Sequence, residues 1–244
     1  MDKPDIAANI AKVLERVGTG AAKYARDPAS ITVLAVSKTQ PAGAVRAAAA
    51  CGLRDFGENY LQEAEEKIAA CADLDLSWHF IGPLQSNKTR RVAAAFDWVH
   101  SVDREKLLRR LSDQRDPHLP PLNVCLQVNI SGEDSKAGVP PAALPELLEL
   151  AAGLPRLRLR GLMAIPAPAA DFATQKAPLD MLAVLFERAR GQHPGLDTLS
   201  MGMSADLEAA IAAGSTMLRI GTAIFGPRDG VYTGAPLSTG PTAA

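Results

Sequence analysis

Short, nearly continuous apolar runs alternate along this chain with longer segments whose apolar residues recur every three or four positions. The runs are "ITVLAVS", "RDFGEN", "SWHFIG", "DWVHSV", "LNVCLQVNI", "LRLRGLMAI", "DTLSMG" and "TMLRIG". Their brevity and continuous apolar character suit strands buried on both faces of a parallel sheet, whereas the three-to-four spacing marks a helix with one buried face. The separators are the Ala-rich residues 41–51, "YLQEAEEKIAACA", "NKTRRVAAAF", "DREKLLRRLSDQ", "PAALPELLELAAG", "PLDMLAVLFERARGQ" and "ADLEAAIAAG". Ahead of the first strand, Ile6, Ile10, Val13, Leu14 and Val17 predict an extra N-terminal amphipathic helix. Strands that alternate with helices pair in parallel, and eight such units in 244 residues predict an α/β fold, a single (β/α)8 TIM barrel, over an open sheet. We expect the barrel to occupy residues 1–228. A flexible C-terminal tail, residues 229–244, is expected after it, because "PRDGVYTGAPLSTGPTAA" holds too little apolar surface to offset the entropy of ordering. Residues 166–178, "PAPAADFATQKAP", interrupt the rhythm after the sixth strand and read as a loop on the barrel's active face.

Composition narrows the function classes. With 26 basic against 27 acidic residues the chain has no broad electrostatic footprint for nucleic acid or an anionic membrane. No uncharged apolar stretch reaches the ~18 residues of a membrane helix, and the N-terminal residues carry acids where a signal peptide has its apolar region. Cys51, Cys71 and Cys125 are odd in number and lack any C-x-x-C spacing, which argues against a disulfide framework and a zinc site and fits a reduced cytoplasmic setting. The four histidines form no close pair and no H-E-x-x-H, so no metal is expected.

Three stretches invite a chemical reading. "GPLQSNKT", 82–89, has the outline of a phosphate loop, but Asn87 replaces its second glycine, so a loop leading into a helix is the better account. "RLRLR", 156–160, alternates arginine at strand period and reads as a strand start on the barrel's lower rim, not as a phosphate-backbone stripe. The carboxyl end says more. "TLSMGMSADLEAAIAAG" runs from the seventh strand through a turn into a helix, where the Ser204 hydroxyl and the amides near Ala205 and Asp206 could meet an anion. An ordinary serine N-cap would explain Ser204 alone. Arg219 and Gly221 follow on the eighth strand, however, and barrel enzymes frequently build phosphate sites from loops seven and eight together. Lys38 ends the first strand in "AVSKTQP", either as an accident of a loop or as a reactive amine at the lip of the core.

The motifs "AVSKTQP", "FGENYLQEA", "WHFIGPLQSNK", "VNISGEDSKAG", "GLMAI", "LSMGMSADLEAAI" and "RIGTAIFG", in that order, closely resemble the pyridoxal phosphate homeostasis protein family, whose barrel is similar to the alanine racemase N-terminal domain. The resemblance spans nearly the whole chain. It implies that Lys38 holds pyridoxal 5'-phosphate (PLP) as a Schiff base, that Ser204 and the backbone around Gly221 and Thr222 hold the phosphate, and that Arg219 faces the pyridine nitrogen. Asn59 and His79 are carried over as residues lining the pocket.

A lysine attacks an aldehyde only as the neutral amine, so a partly buried strand end suits it. A permanently charged arginine at the ring nitrogen would make the ring a poorer electron sink while leaving binding intact. In the racemases that the barrel resembles, a second base comes from another domain, and the ~20 residues beyond the eighth strand are expected to be too few to supply one. The resemblance therefore implies a non-catalytic carrier in vitamin B6 homeostasis. Its expected partners are PLP and the apo forms of PLP-dependent enzymes, without nucleic acid or membrane, and a monomer is expected. Two alternatives stay open: a PLP-dependent racemase or lyase using a base such as Tyr60 or Lys136, and a cofactor-free Schiff-base aldolase.

Overall fold

The computed structural model describes residues 4–132 and 137–227. The helix expected first in sequence is α1 (Ile6–Lys23), capped by Asp5, whose Oδ1 accepts the Ala8 amide at 3.0 Å. Then β1 (Thr32–Val36), α2 (Ala42–Ala50), β2 (Asp55–Glu58), α3 (Leu61–Ala70), β3 (Ser77–Phe80) and α4 (Thr89–Ala95) follow in strict alternation. The second half continues with β4 (Trp98–Val102), α5 (Glu105–Gln114), β5 (Leu122–Gln127), α6 (Leu144–Ala152), β6 (Leu157–Met163), α7 (Phe172–Gln192), β7 (Thr198–Ser200), α8 (Leu207–Ala212), β8 (Met217–Ile220) and the short α9 (Thr222–Phe225). The strands pair in parallel and in chain order, and β8 closes the barrel on β1 with Thr32 opposite Met217 and Ala35 opposite Ile220.

Most of the core lies between the barrel wall and the helices, where Phe56, Val99, Leu107, Leu126, Leu162 and Leu182 are fully buried. α1 packs on α2, α8 and α9. It buries Ile10, Val13 and Val17 as its spacing predicts; Leu14 is instead 45 % exposed, one position off the buried stripe. Inside the barrel Trp98, Cys125 and Met163 form a separate small cluster. "RLRLR" does begin β6 at the lower rim, where two of its arginines are engaged and Arg158 is exposed. Arg156 donates to the Ser112 carbonyl, while Arg160 pairs with Asp197 and stacks 4.4 Å over Trp98.

The loop expected over 166–178 is shorter than the sequence suggests, because α7 already begins at Phe172. Asp171 starts it, accepting the Thr174 amide at 2.9 Å and the Thr174 hydroxyl at 2.7 Å. Pro178 lies inside α7, removing one backbone donor, yet the helix continues because Leu179, Leu182 and Phe186 anchor the following turns in the core. Tertiary burial thus overrides the local breaker. The expected tail, residues 229–244, lies outside the described residues, as does Lys136. Among the described residues no helix is long and apolar enough to cross a membrane.

Candidate functional site

The carboxyl ends of β1, β2, β7 and β8 surround a cavity of about 260 Å³. Its wall includes Lys38, Asn59, Ser204, Arg219, Gly221 and Thr222, together with the apolar side chains of Val36, Ile81, Ile165, Met203 and Phe225. Lys38 and Arg219 are far apart in sequence and meet because β1 and β8 are the pair that closes the barrel.

Each polar position is set by local backbone chemistry. Gly202 adopts φ +91°, and a Cβ there would stand 2.3 Å from the Ala210 Cβ, so only glycine admits the turn that brings Ser204 to the cavity. The N-cap position of α8 is Asp206, not Ser204, and its side chain does not cap the helix but turns back, Oδ1 accepting the Met203 amide at 2.6 Å. The Ser204 hydroxyl is thereby left on the wall. Arg16 of α1 steadies the same turn, pairing with Glu208 at 3.0 Å and donating to the Ser204 carbonyl at 3.4 Å. Gly221 is the N-cap of α9, whose first amides have no acceptor within the helix. On the β2 side, Asn59 approaches Gly82 so closely that a Cβ on Gly82 would lie 2.3 Å from the Asn59 carbonyl oxygen. The first glycine of "GPLQSNKT" therefore serves loop packing.

Beneath Lys38 lies a buried ionic strap that sequence reasoning missed. Lys67 Nζ donates to the Ser37 carbonyl at 2.6 Å, to Glu58 Oε1 at 2.8 Å and to Glu63 Oε1 at 2.5 Å. The Ser37 hydroxyl donates to Glu58 Oε1 at 2.6 Å, and the Thr39 amide donates to Glu63 Oε1 at 2.5 Å. Residues on both sides of Lys38 are thus pinned. Thr39 is held at φ +65°, a conformation costing ~1–2 kcal/mol for a non-glycine residue. Burial pushes the Glu58 carboxyl above its ordinary value, against the pull of the Lys67 ammonium and the Ser37 hydroxyl. The one available sequence signal was the i,i+4 spacing of Glu63 and Lys67, which ordinarily reads as a surface pair.

Arg219 is buried. Its Nη1 donates to the Ser200 carbonyl at 2.6 Å and the Ser200 hydroxyl at 2.9 Å, and its Nη2 donates to the Ala164 carbonyl at 2.8 Å. A guanidinium has five N–H donors, so the Nε hydrogen and one on Nη2 remain for a ligand. Burial pushes Arg219 down to about 10, which still leaves it protonated at neutral pH. Asn59 adds a buried amide oxygen, Oδ1, without a hydrogen-bond partner among the described residues.

The structure therefore gathers six of the seven residues chosen from sequence on one wall. His79 corrects that expectation. It does not line the cavity but lies fully buried in the barrel lumen, stacked on Trp98 at 5.1 Å. At β3 its side chain points inward below the mouth, a depth that strand alternation alone could not assign. Tyr60, raised as a possible base, is 54 % exposed and is not on the cavity wall.

Comparison with known proteins places this geometry. Residues 4–229 match the family described as alanine racemase, N-terminal domain. The pyridoxal phosphate homeostasis protein of Pseudomonas aeruginosa is 62 % identical over 233 residues, covering 96 % of this chain and 99 % of that one. The protein of the same name from Escherichia coli is 55 % identical over 228 residues, covering 92 % of this chain and 97 % of its own. PipY of Synechococcus elongatus, solved with PLP bound, superposes with a TM-score of 0.76 at 38 % identity, covering 91 % of this chain and all of PipY. With those motifs, this barrel and matches of that length, the chain belongs to the pyridoxal phosphate homeostasis protein family, within the alanine racemase N-terminal domain fold.

Proposed function

We propose that this chain binds PLP in the cavity at the carboxyl end of its barrel, attaches it through the Lys38 amine and serves intracellular PLP homeostasis as a carrier that supplies apo-enzymes. The observation that carries this reading is the convergence on one wall of an amine, a buried guanidinium with two unspent N–H groups and a serine turn. The residues fit the group. Lys38 would bond its aldehyde carbon, Ser204 and the backbone at Gly221 and Thr222 would hold its phosphate, and Asn59 Oδ1 would accept from its polar edge. When bound, PLP supplies a masked, transferable aldehyde. Arg219, cationic at neutral pH, keeps a proton off the ring nitrogen and so discourages carbanion chemistry. The strap of Glu58, Glu63 and Lys67 fixes the backbone on either side of Lys38 and thereby aims its amine.

A carrier role is supported over a racemase or lyase by the exposed position of Tyr60 and by the homeostasis name borne by relatives of more than half identity. We infer a cytoplasmic carrier, consistent with its unpaired cysteines, and expect a monomer. The test is borohydride reduction of the PLP-treated protein followed by peptide mass spectrometry. A reduced adduct on Lys38, absent from Lys38→Ala, is expected, and residual weak binding should survive through the phosphate contacts. An adduct on Lys38→Ala at wild-type yield would show that another lysine is the attachment point.

A further inference from the structure

A line of titratable side chains crosses the barrel lumen and ends on Arg219. At the lower rim Asp55 Oδ1 lies 3.0 Å from His79 Nε2, which Ser77 Oγ also approaches at 3.2 Å. His79 Nδ1 meets His100 Nε2 at 2.9 Å, and His100 Nδ1 meets Ser200 Oγ at 2.9 Å. Ser200 Oγ accepts from Arg219 Nη1. His79, His100 and Ser200 are fully buried.

Donor accounting fixes the protons. A carboxylate only accepts, so His79 carries its proton on Nε2 and presents a lone pair at Nδ1. His100 must then donate from Nε2 and accept at Nδ1, the Ser200 hydroxyl must donate to that Nδ1, and its oxygen is left to accept from Arg219. Every link runs in one direction, with both imidazoles neutral and no donor wasted. A proton added to His100 would turn its Nδ1 into a donor toward Ser200 and leave the buried serine hydrogen without its acceptor. Burial holds both imidazoles below their ordinary value, and the neighbouring Arg219 and His79 depress His100 further. Asp97 and Arg160 also act on His79, with opposite sign.

We propose that His79 and His100, acting through Ser200, are positioning residues of the cofactor pocket. They fix the plane of the Arg219 guanidinium from behind, so that its two unspent N–H groups and its charge are directed at the ring nitrogen of the bound cofactor. This rests on the PLP reading above. In a guanidinium with three hydrogen bonds on one side, rotation about the terminal bonds would cost those bonds; without Ser200 Oγ two backbone carbonyls alone would hold it.

The experiment uses the full chain with Ser200→Ala, Ser200→Thr and His100→Leu. Before any PLP is added, ¹⁵N NMR of the histidine side chains at neutral pH should show His79 and His100 as neutral Nε2–H tautomers. A Nδ1–H tautomer or an imidazolium at either position would overturn the relay. After PLP is added, Ser200→Ala and His100→Leu should keep the borohydride adduct on Lys38. They should shift the pH at which the bound chromophore titrates by about one unit, the size of a lost hydrogen bond to a charged group. Ser200→Thr, which restores the hydroxyl, should return it. Because Ser200→Ala removes one atom, it carries the test if His100→Leu fails to fold. Labelled Lys38 with an unmoved titration would overturn the positioning role alone, whereas failure of the wild type to label would overturn the PLP reading and the role with it.

Discussion

Replacing Lys67 with methionine tests the strap under Lys38 directly. The side chain is 6 % exposed and its partners Glu58 and Glu63 are 0 % and 15 % exposed, so the change leaves a carboxyl in the core facing no cation. Among the described residues Glu58 would keep only the Ser37 hydroxyl on Oε1, and its Oε2 already lacks a partner there. Removing one member of such a pair costs ~3–5 kcal/mol, against a total stability of ~5–15 kcal/mol. At this chain length that is a fall in Tm of roughly 6–20 °C. The loss should depend on pH. Without the ammonium, Glu58 would titrate still higher in the folded state, and a group raised on folding contributes stability below its folded pKa that disappears as pH rises through it. Lys67→Met should therefore be closer to wild type at pH 5.5 than at pH 8. The double variant Glu58→Gln, Lys67→Met should recover part of the deficit, because neither buried charge is then stranded. Thermal and urea melts followed by circular dichroism give the numbers, and the rate of Lys38 labelling by PLP and borohydride reports the strap's aim. A Tm within about 2 °C of wild type at pH 8 would refute the reasoning.

Other expectations follow from the same structure. Because folding lowers the pKa of His79 and His100, the unfolded chain binds the extra protons below ~6.5, so stability should fall with acidification by up to ~1.4 kcal/mol per pH unit for each imidazole; a flat urea midpoint between pH 6.5 and 5.5 would contradict two buried neutral rings. Burial pushes the Cys125 thiol up to about 12, so a thiol reagent applied to folded protein should modify exposed Cys51 and spare Cys71 and Cys125, as peptide mass spectrometry would show. Gly202→Ala meets both a positive φ and the Ala210 Cβ, and should lose ~1–3 kcal/mol in urea melts together with PLP affinity; an unchanged melt would mean that the turn relaxes freely.

The barrel was legible because each strand is a short buried run and each helix shows its own period, so Val33 to Val36 and Leu107 to Leu111 announce their elements locally. That Lys38, Ser204, Arg219 and Gly221 share one cavity wall was legible because strand ends of a barrel share one face. What failed needed tertiary information. The start of α7 depends on a cap at Asp171 and on burial beyond Pro178, neither visible in a Pro/Ala-rich stretch. Lys67 reads as a surface cation on an amphipathic helix until β1 and β2 are packed over it. His79 and His100, 21 residues apart, show no pattern in sequence, and their 2.9 Å contact exists only because β3 and β4 are neighbours.

The polar lumen follows from Arg219. Barrel interiors are ordinarily filled by layers of branched apolar side chains, and a cation there is costly unless its donors are met. Arg219 meets that requirement on its lumen side with two backbone carbonyls and one hydroxyl, which leaves its remaining two N–H groups toward the cavity. The hydroxyl, once it accepts, carries a hydrogen that needs an acceptor of its own, and His100 Nδ1 supplies it. His100 then has an Nε2 hydrogen to place, which His79 Nδ1 takes, and the Nε2 hydrogen of His79 reaches Asp55. Asp55, 30 % exposed, can complete its hydrogen bonding with solvent at the rim. Each link is demanded by the one before it, and the sequence of demands stops only at water. A leucine at position 100 would therefore strand the Ser200 hydrogen as well as loosen Arg219, which is why single substitutions along this line should be costlier than the exchange of any one apolar lumen residue for another of similar volume.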